Sequence, residues 1–382
     1  MILTWLLALA LVFISAGAIN VLANVLFSQR VRRLSARALQ TTPMVSVLIP
    51  ARNEAHNVAA CVRSLLAQDY PAYEVIALND DSTDETGSIL EQLAAHDARL
   101  RVLHNHRPLP PGVNGKSRAC QQLAEAARGE WLLFVDADTV HHADSIRRGV
   151  AAAHALKVAL FSVIPQQTLG TWAERLFIPA GFAMILNVVS FWRMRYSPDC
   201  AWGNAAAVGQ YVLVRRDAYF ACGGHRAIQD KILDDVALGE QIKRSGYRIA
   251  LADADWVRCR MYRSGAEMIA GFSKNAFAIL RGSLALSSVF VLGSVGLFYA
   301  PLVGLLLGIA QQQSAWLVLS AASIALTLAD FALVNRRIGQ PLRLAALYPV
   351  QIAIGLGILL NSIRWRYTGR AQWKGRSLVG AS

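Results

Sequence analysis

Two aspartates one residue apart close the run Trp131-Leu132-Leu133-Phe134-Val135-Asp136-Ala137-Asp138-Thr139. An ionised carboxylate inside so apolar a stretch is costly to bury unless it is paired, so the two belong at the solvent end of a strand. A hard divalent cation takes one or two carboxylates of this kind from a protein and fills its other positions with water and phosphate oxygens. The chemistry implied is the departure of a phosphate-bearing leaving group. The same spacing also describes a helix cap beside a solvated turn, so the elements around it decide.

Those elements alternate. The apolar runs Val45 to Ile49, Glu74 to Leu78, Leu100 to Leu103 and Trp131 to Val135 are separated by helical periodicities, two of them beginning near Glu54 and Asp84. Continuous apolar strands with helices between them predict a parallel sheet covered on both faces, and ligands of such sheets bind beyond the carboxyl ends of the strands. The residues there are polar: Pro50-Ala51-Arg52-Asn53-Glu54, then Asn79-Asp80-Asp81-Ser82-Thr83-Asp84, then Asp136-Ala137-Asp138. Ser82 and Asp84 read as helix N-caps, but caps leave the doubled acids unexplained. Gly115-Lys116-Ser117 opens a helix, where backbone N–H groups and an ammonium can meet phosphate. Pro110 stands five residues before Gly115 where a P-loop needs glycine, which disfavours Walker-type ATP binding.

The whole chain is that of a membrane protein. It has 382 residues, 54% hydrophobic and only 16% charged, with a formal net charge of +13. Residues 1–28 read as a retained transmembrane anchor, and Arg30, Arg32, Arg33 and Arg37 after it favour the cytoplasmic side. Three further spans of about 20 residues fit at about 284–309, 314–334 and 344–363. Full crossing by all of them would leave the basic tail, 364–382, outside. One segment is therefore expected to be re-entrant, the last one with its Pro349, Gly355 and Gly357, with a break near Pro301 in the first as the alternative. The apolar run within 171–195, bounded by Trp172 and Trp192, reads as an interfacial helix, against the alternative of a core helix. The five cysteines form no C-x-x-C pair and suggest neither a disulfide framework nor a zinc site. Lys and Arg cluster beside the spans without a nucleic-acid-binding module, so a nucleic-acid partner is not expected.

In combination these features resemble the family 2 glycosyltransferases, inverting enzymes of the GT-A fold, over Val45 to about Asn275. The resemblance rests on Ser46 to Glu54, Asn79 to Asp84, Gly115-Lys116-Ser117 and Leu133 to Thr139. It continues in Gly209 to Ala218, Gly223-Gly224 and Asp234 to Gly239. It implies that Asp80 reads the uracil of a donor, that Pro50, Arg52 and Glu54 line the nucleotide pocket, and that Lys116 meets the donor phosphates. It further implies that Asp136 touches the ribose or diphosphate, and that Asp138, with Asp136, holds Mg2+ or Mn2+. Many relatives have an aromatic residue at the Arg52 position. Leu233-Asp234-Asp235 matches the acceptor-side acid, with Asp235 as the general base, and Gly209, Gln210 and Asp234 fall on the acceptor or donor-sugar side. Gly271-Phe272-Ser273-Lys274-Asn275 is similar to a segment of carotenoid, hopanoid-associated and ceramide-type glucosyltransferases, which adds Lys274 to that side. The Gln-x-x-Arg-Trp motif of processive synthases is missing from that region.

The fold expected is α/β, a GT-A, Rossmann-like and mostly parallel sheet over 43–275, with N- and C-terminal transmembrane helices, the latter in 284–363. The function expected is transfer of a hexose from a nucleotide-sugar, a UDP-sugar first, to a hydrophobic lipid acceptor by a multi-pass enzyme of the inner cell membrane whose catalytic domain is cytoplasmic. Its partners are the donor, the lipid acceptor and the bilayer. The alternatives are a polyprenyl-phosphate sugar transferase, a polysaccharide synthase, or a non-catalytic membrane scaffold or transporter.

Overall fold

The computed structural model describes residues 1–106, 109–110, 112–201 and 203–370, and the backbone of 372–373 and 376–377. In chain order the elements are α1 (Ile2–Ser35), β1 (Val45–Ala51), α2 (Val58–Leu66), β2 (Tyr73–Asp80), α3 (Thr86–His96), β3 (Leu100–Asn105), α4 (Gly115–Ala126) and β4 (Trp131–Phe134). Next come β5 (Thr139–His141), α5 (Ser145–Leu156), β6 (Leu160–Gln167), α6 (Trp172–Leu186), α7 (Phe191–Tyr196), β7 (Val212–Arg215), α8 (Arg216–Ala221), α9 (Asp234–Arg244) and β8 (Ile249–Cys259). The helices α10 (Gly265–Ile279), α11 (Leu284–Phe298), α12 (Ala300–Ala310), α13 (Ser314–Arg337) and α14 (Tyr348–Thr368) follow. Two compact units result, a sheet unit of residues 25–168 and 191–261 and a helical unit of residues 1–24, 169–190 and 262–370.

The sheet unit is built on one eight-stranded sheet in the order β3-β2-β1-β4-β7-β6-β8-β5. Strand β1, Val-Ser-Val-Leu-Ile-Pro-Ala, is buried along nearly its whole length, the condition under which an unbroken apolar run rather than an alternating one forms a strand. It pairs in parallel with β2 and β4, and β2 pairs in parallel with β3. The β4 ladder stops at Leu48, so Pro50 lies past it, where a missing N–H removes no bond on that side. This half is the parallel sheet expected. The other half is mixed, with β7 antiparallel to β4 and β6, and β5 antiparallel to β8. Strands of four and three residues are too short to show a period. The chain leaves β1 toward β2 on one side and returns to β4 on the other, which makes the carboxyl ends of β1 and β4 the switch point of the sheet.

The helical unit packs α6 among the C-terminal helices. Val21, Ala180, Ala183, Phe331, Val334, Ala345, Tyr348 and Ile352 form one buried cluster. Helix α6 starts on a capping box in which Thr171 Oγ1 accepts from the Glu174 N–H while the Glu174 carboxylate accepts from Thr171 and from Gly170 N–H. The run expected to be one helix over 171–195 breaks after Leu186, and Asn187 there donates to Asp330 Oδ2 at 2.7 Å. Among the described residues four helical stretches are long and apolar enough to cross a membrane, Ile2–Ser35, Leu284–Ala310, Ser314–Arg337 and Leu342–Thr368. The second is interrupted at Tyr299, just before Pro301. Pro349 begins α14 rather than breaking it, and Gly355 and Gly357 lie inside a continuous helix. Of the basic tail, only residues up to 370 and four backbone positions beyond them are described, and Lys374 and Gly375 lie outside the described residues.

Candidate active site

The carboxyl ends of β1 and β2 are locked to each other. Arg52 Nη1 donates to the carbonyl oxygens of Asp80 and Asp81, at 2.6 Å each. The Asn53 N–H donates to Ser82 Oγ, Thr83 N–H to Asn53 Oδ1, Glu54 N–H to Thr86 Oγ1 and Ala55 N–H to Asp84 Oδ2. Asn53 and Asp81 both take left-handed backbone, φ 50° and 55°, which short polar side chains tolerate. This cross-bracing delays α2 to Val58, later than the Glu54 start expected. It also gives Ser82 a partner in the opposite loop, and the N-cap position of α3 falls to Glu85 rather than Asp84, which accepts from Thr86 N–H one residue earlier.

Inside the brace, Asp80 is 1% exposed. Its Oδ1 accepts from Asn105 Nδ2 at 2.8 Å and from Arg118 Nη2 at 3.1 Å. Removing one partner of a buried ion pair costs about 3–5 kcal/mol, because the other charge is stranded. Sequence reasoning missed both partners. Asn105 ends β3, and the rule applied to the other strand ends would have found it. Arg118 stands one residue past the Gly-Lys-Ser step.

Helix α4 opens as expected, with Asn114 Oδ1 accepting from the Lys116 N–H at 2.9 Å. Lys116 Nζ reaches Asp136 Oδ1 at 2.5 Å. Asp235, in the first turn of α9, accepts through Oδ2 from the Gly209 N–H at 2.9 Å and through Oδ1 from the Val236 N–H at 2.8 Å. A methyl group on Gly209 would stand 2.8 Å from Lys116 Nζ, 3.5 Å from Asp235 Oδ2 and 3.7 Å from Asp136 Oδ2. Lys116, Asp136, Gly209 and Asp235 thus face one small space, and a residue with any side chain at 209 would fill it. Burial, then the neighbouring Asp234, pushes Asp235 up to about 6, against the pull of Lys116 and the two N–H groups.

Asp138 lies deeper. Burial, then the Asp136 and Glu54 charges, pushes it up to about 7. Its Oδ1 is buried with no hydrogen-bond partner among the described residues. That orphaned oxygen beside a second carboxylate fits a divalent cation. Among the described residues no three His, Cys, Asp or Glu side chains gather as a closed metal site, so an ion here would take these two carboxylates and leave its other positions to water and phosphate. Glu54 Oε2 accepts from Asn57. Gln210 turns away from the space at Gly209 and donates to Cys259 Sγ at 2.9 Å. Asp234 is buried and adds its charge to Lys116. Lys274 sits on α10 in the helical unit.

The model of the family described as Glycosyl transferase family 2 matches residues 46–235. A glycosyltransferase family 2 domain occupies these residues. This glycosyltransferase is 26% identical over 366 residues to 4,4'-diaponeurosporenoate glycosyltransferase of Staphylococcus aureus strain MRSA252, covering 92% of each chain. It is also 26% identical over 346 residues to the protein of that name in strain N315, covering 87% of each chain. Among solved structures it is similar to the mannosyltransferase PcManGT of Pyrobaculum calidifontis in complex with GDP-Man and Mn2+, with TM-score 0.53 and 17% identity, covering 94% of this chain and 98% of that one. The GT-A-like fold is the one expected.

Two histidines of the glycosyltransferase stand close to these groups without the character of bases. Burial pushes His141 down to about 3 and His225 down to about 4. His225 exchanges a hydrogen bond with the Tyr219 hydroxyl at 2.9 Å and lies edge-on to Phe134, so it packs beneath the site as a neutral ring. All five cysteines are free.

Proposed function

We propose that this protein is a membrane-bound inverting glycosyltransferase that moves a hexose from a nucleotide-sugar, a UDP-sugar in the first instance, to the hydroxyl or carboxyl of a hydrophobic lipid acceptor of the carotenoid, hopanoid or glycolipid-precursor type. The observation that carries the reading is the convergence of Asp235, Lys116 and Asp136 on the space beside Gly209. An inverting transfer needs a carboxylate that takes the acceptor's proton while the acceptor oxygen bonds to the anomeric carbon and the opposite bond, to the diphosphate, breaks. Asp235 has both oxygens anchored by backbone N–H groups and a proton affinity near neutrality. It is the base in this reading.

Lys116 and the N–H groups at the head of α4 receive the diphosphate, and the braced loop carrying Arg52, Glu54 and Asp80 receives the nucleoside. Asp138 and Asp136 hold Mg2+ or Mn2+, which supplies positive charge for the leaving diphosphate. PcManGT carries GDP-Man and Mn2+, which supports a nucleotide-sugar and a divalent ion without choosing the base. The carotenoid-pathway relatives match along 92% of the chain, apolar helices included, which supports a lipid acceptor. Arg30, Arg32 and Arg33 in the last turns of α1 support a cytoplasmic sheet unit in a multi-pass inner-membrane protein.

Mass spectrometry of lipid extracts from cells with and without the gene tests the reading. A lipid that loses one hexose mass on deletion names the acceptor and shows that the sugar is a hexose. Identical lipid extracts, with sugar missing from a polymer instead, would overturn it.

A further inference from the structure

At the end of β4 remote from Asp136, where the parallel strands begin, the sheet unit holds a cavity of about 400 Å³. Its walls are Trp131 at the start of β4, Arg215 at the end of the antiparallel β7, Tyr247 and Arg248 leading into β8, and His154 and Lys157 at the C-terminus of α5. Backbone bonds fix this frame, with Ala159 N–H donating to the Arg248 carbonyl and Arg215 N–H to the Ala159 carbonyl, at 2.8 Å each. Arg215 is paired with Asp217. Among the described residues Lys157 and Arg248 have no acidic partner, and the Tyr247 hydroxyl has no hydrogen-bond partner. The negative end of α5 would account for His154 and Lys157 by themselves. It does not account for Arg248, which arrives on another element, and Arg195 already serves that end by donating through Nε to the Leu156 carbonyl at 2.6 Å.

Arg195 also ties the cavity to the bilayer surface. It belongs to α7, where Trp192 and Tyr196 are 56% and 41% exposed and lie ring to ring at 5.2 Å. Aromatic residues with a polar edge gather at the membrane–water interface. Phe191 of the same helix packs edge-on at 6.5 Å against Phe27 of α1, three residues before Arg30. We propose that this cavity binds the phosphate of an anionic phospholipid headgroup, with Lys157 and Arg248 as its cationic donors and the Tyr247 hydroxyl as a neutral one. Charge-assisted bonds from such groups to phosphate oxygens are strong, and basic pockets on the cytoplasmic side of membrane proteins hold anionic headgroups in this way. The inference rests on the reading of the chain as membrane-bound and not on the transfer reaction, whose groups lie at the opposite end of β4.

The test uses the full-length protein in dodecyl maltoside, with dihexanoyl phosphatidylglycerol, dihexanoyl phosphatidylcholine and inorganic phosphate as probes in isothermal titration calorimetry. Phosphatidylglycerol is expected to bind more tightly than either of the others. Lys157→Gln and Arg248→Gln are each expected to weaken it about fivefold, and Tyr247→Phe, which leaves every charge in place, about threefold. Arg63→Gln removes one charge from an exposed site on α2 and is expected to change nothing. Equal weakening in Arg63→Gln, or wild-type affinity in both Lys157→Gln and Arg248→Gln, overturns the proposal. So does inorganic phosphate bound as tightly as phosphatidylglycerol, which would assign the cavity to a free anion, and so does phosphatidylcholine bound equally well. Recovery of the chain from the soluble fraction of lysed cells would remove the membrane reading and the proposal with it, a failure seen before any probe is added.

Discussion

Lys116 Nζ lies 2.5 Å from Asp136 Oδ1, an ion pair beside the space at Gly209. Burial alone would lower the lysine's proton affinity. Asp136 foremost, then Asp234, raises it well above the ordinary value, so the ammonium is permanently charged. A diphosphate entering here offers Lys116 a second anion. Lys116→Met is expected to raise the donor KM about 10–100-fold, which is about 1.4–2.8 kcal/mol of lost interaction. Initial rates across donor concentrations check this, and an unchanged KM would remove Lys116 from donor binding.

Asp235→Asn keeps the shape of the site and removes the base. For a hydroxyl acceptor kcat is expected to fall about 10²–10⁴-fold with the donor KM little changed. A phosphate acceptor is already ionised and needs little base catalysis, so near-normal turnover of Asp235→Asn would favour the polyprenyl-phosphate alternative.

The rate should carry an acid limb. Asp235 titrates at about 6, and only its carboxylate form accepts a proton, so activity present at pH 7 is lost as the pH falls through 6, approaching a tenfold loss per further unit. A kcat measured under donor saturation that stays level down to pH 5 would contradict the assignment.

Chelation tests the pair Asp136 and Asp138. Transfer is expected to stop in excess chelator and to return on adding Mn2+ or Mg2+, whereas Asp138→Ala stays inactive at every metal concentration. Full turnover in chelator would take the ion out of the reaction.

Gly239 measures how tightly α9 is seated. A methyl group there would meet the backbone of Ala206 at 2.8 Å and of Ala207 at 3.0 Å. Backbone cannot step aside cheaply, and overpacking of this kind costs about 1–3 kcal/mol. Gly239→Ala is expected to lower Tm by several degrees and to lower kcat as well, because α9 carries Asp235. A variant with unchanged Tm and kcat would show that the contact relaxes freely.

The parallel half of the sheet was legible because β1 to β4 are apolar runs with polar ends, a pattern local to each strand. Asp235 was marked by the resemblance of Leu233-Asp234-Asp235 to the family's acceptor-side acid, not by any local pattern. Whether the helix terminus or burial governs its proton was not legible, since the answer depends on Asp234, Lys116 and the Gly209 N–H arriving from three elements. Resemblance set Arg52 in the nucleotide pocket, but its use as a brace between two loops depends on where the Asp80 and Asp81 carbonyls point.

The order of the chain has a practical outcome for anyone wishing to study the transferase in water. Helix α6 belongs to the helical unit yet is threaded between β6 and α7 of the sheet unit. Trimming both termini therefore leaves Ala180 and Ala183 stripped of the Phe331, Val334 and Ile352 side chains that cover them. Such a fragment keeps a greasy internal segment that invites aggregation, and a water-soluble enzyme calls for excision and bridging of 169–190 rather than shorter ends.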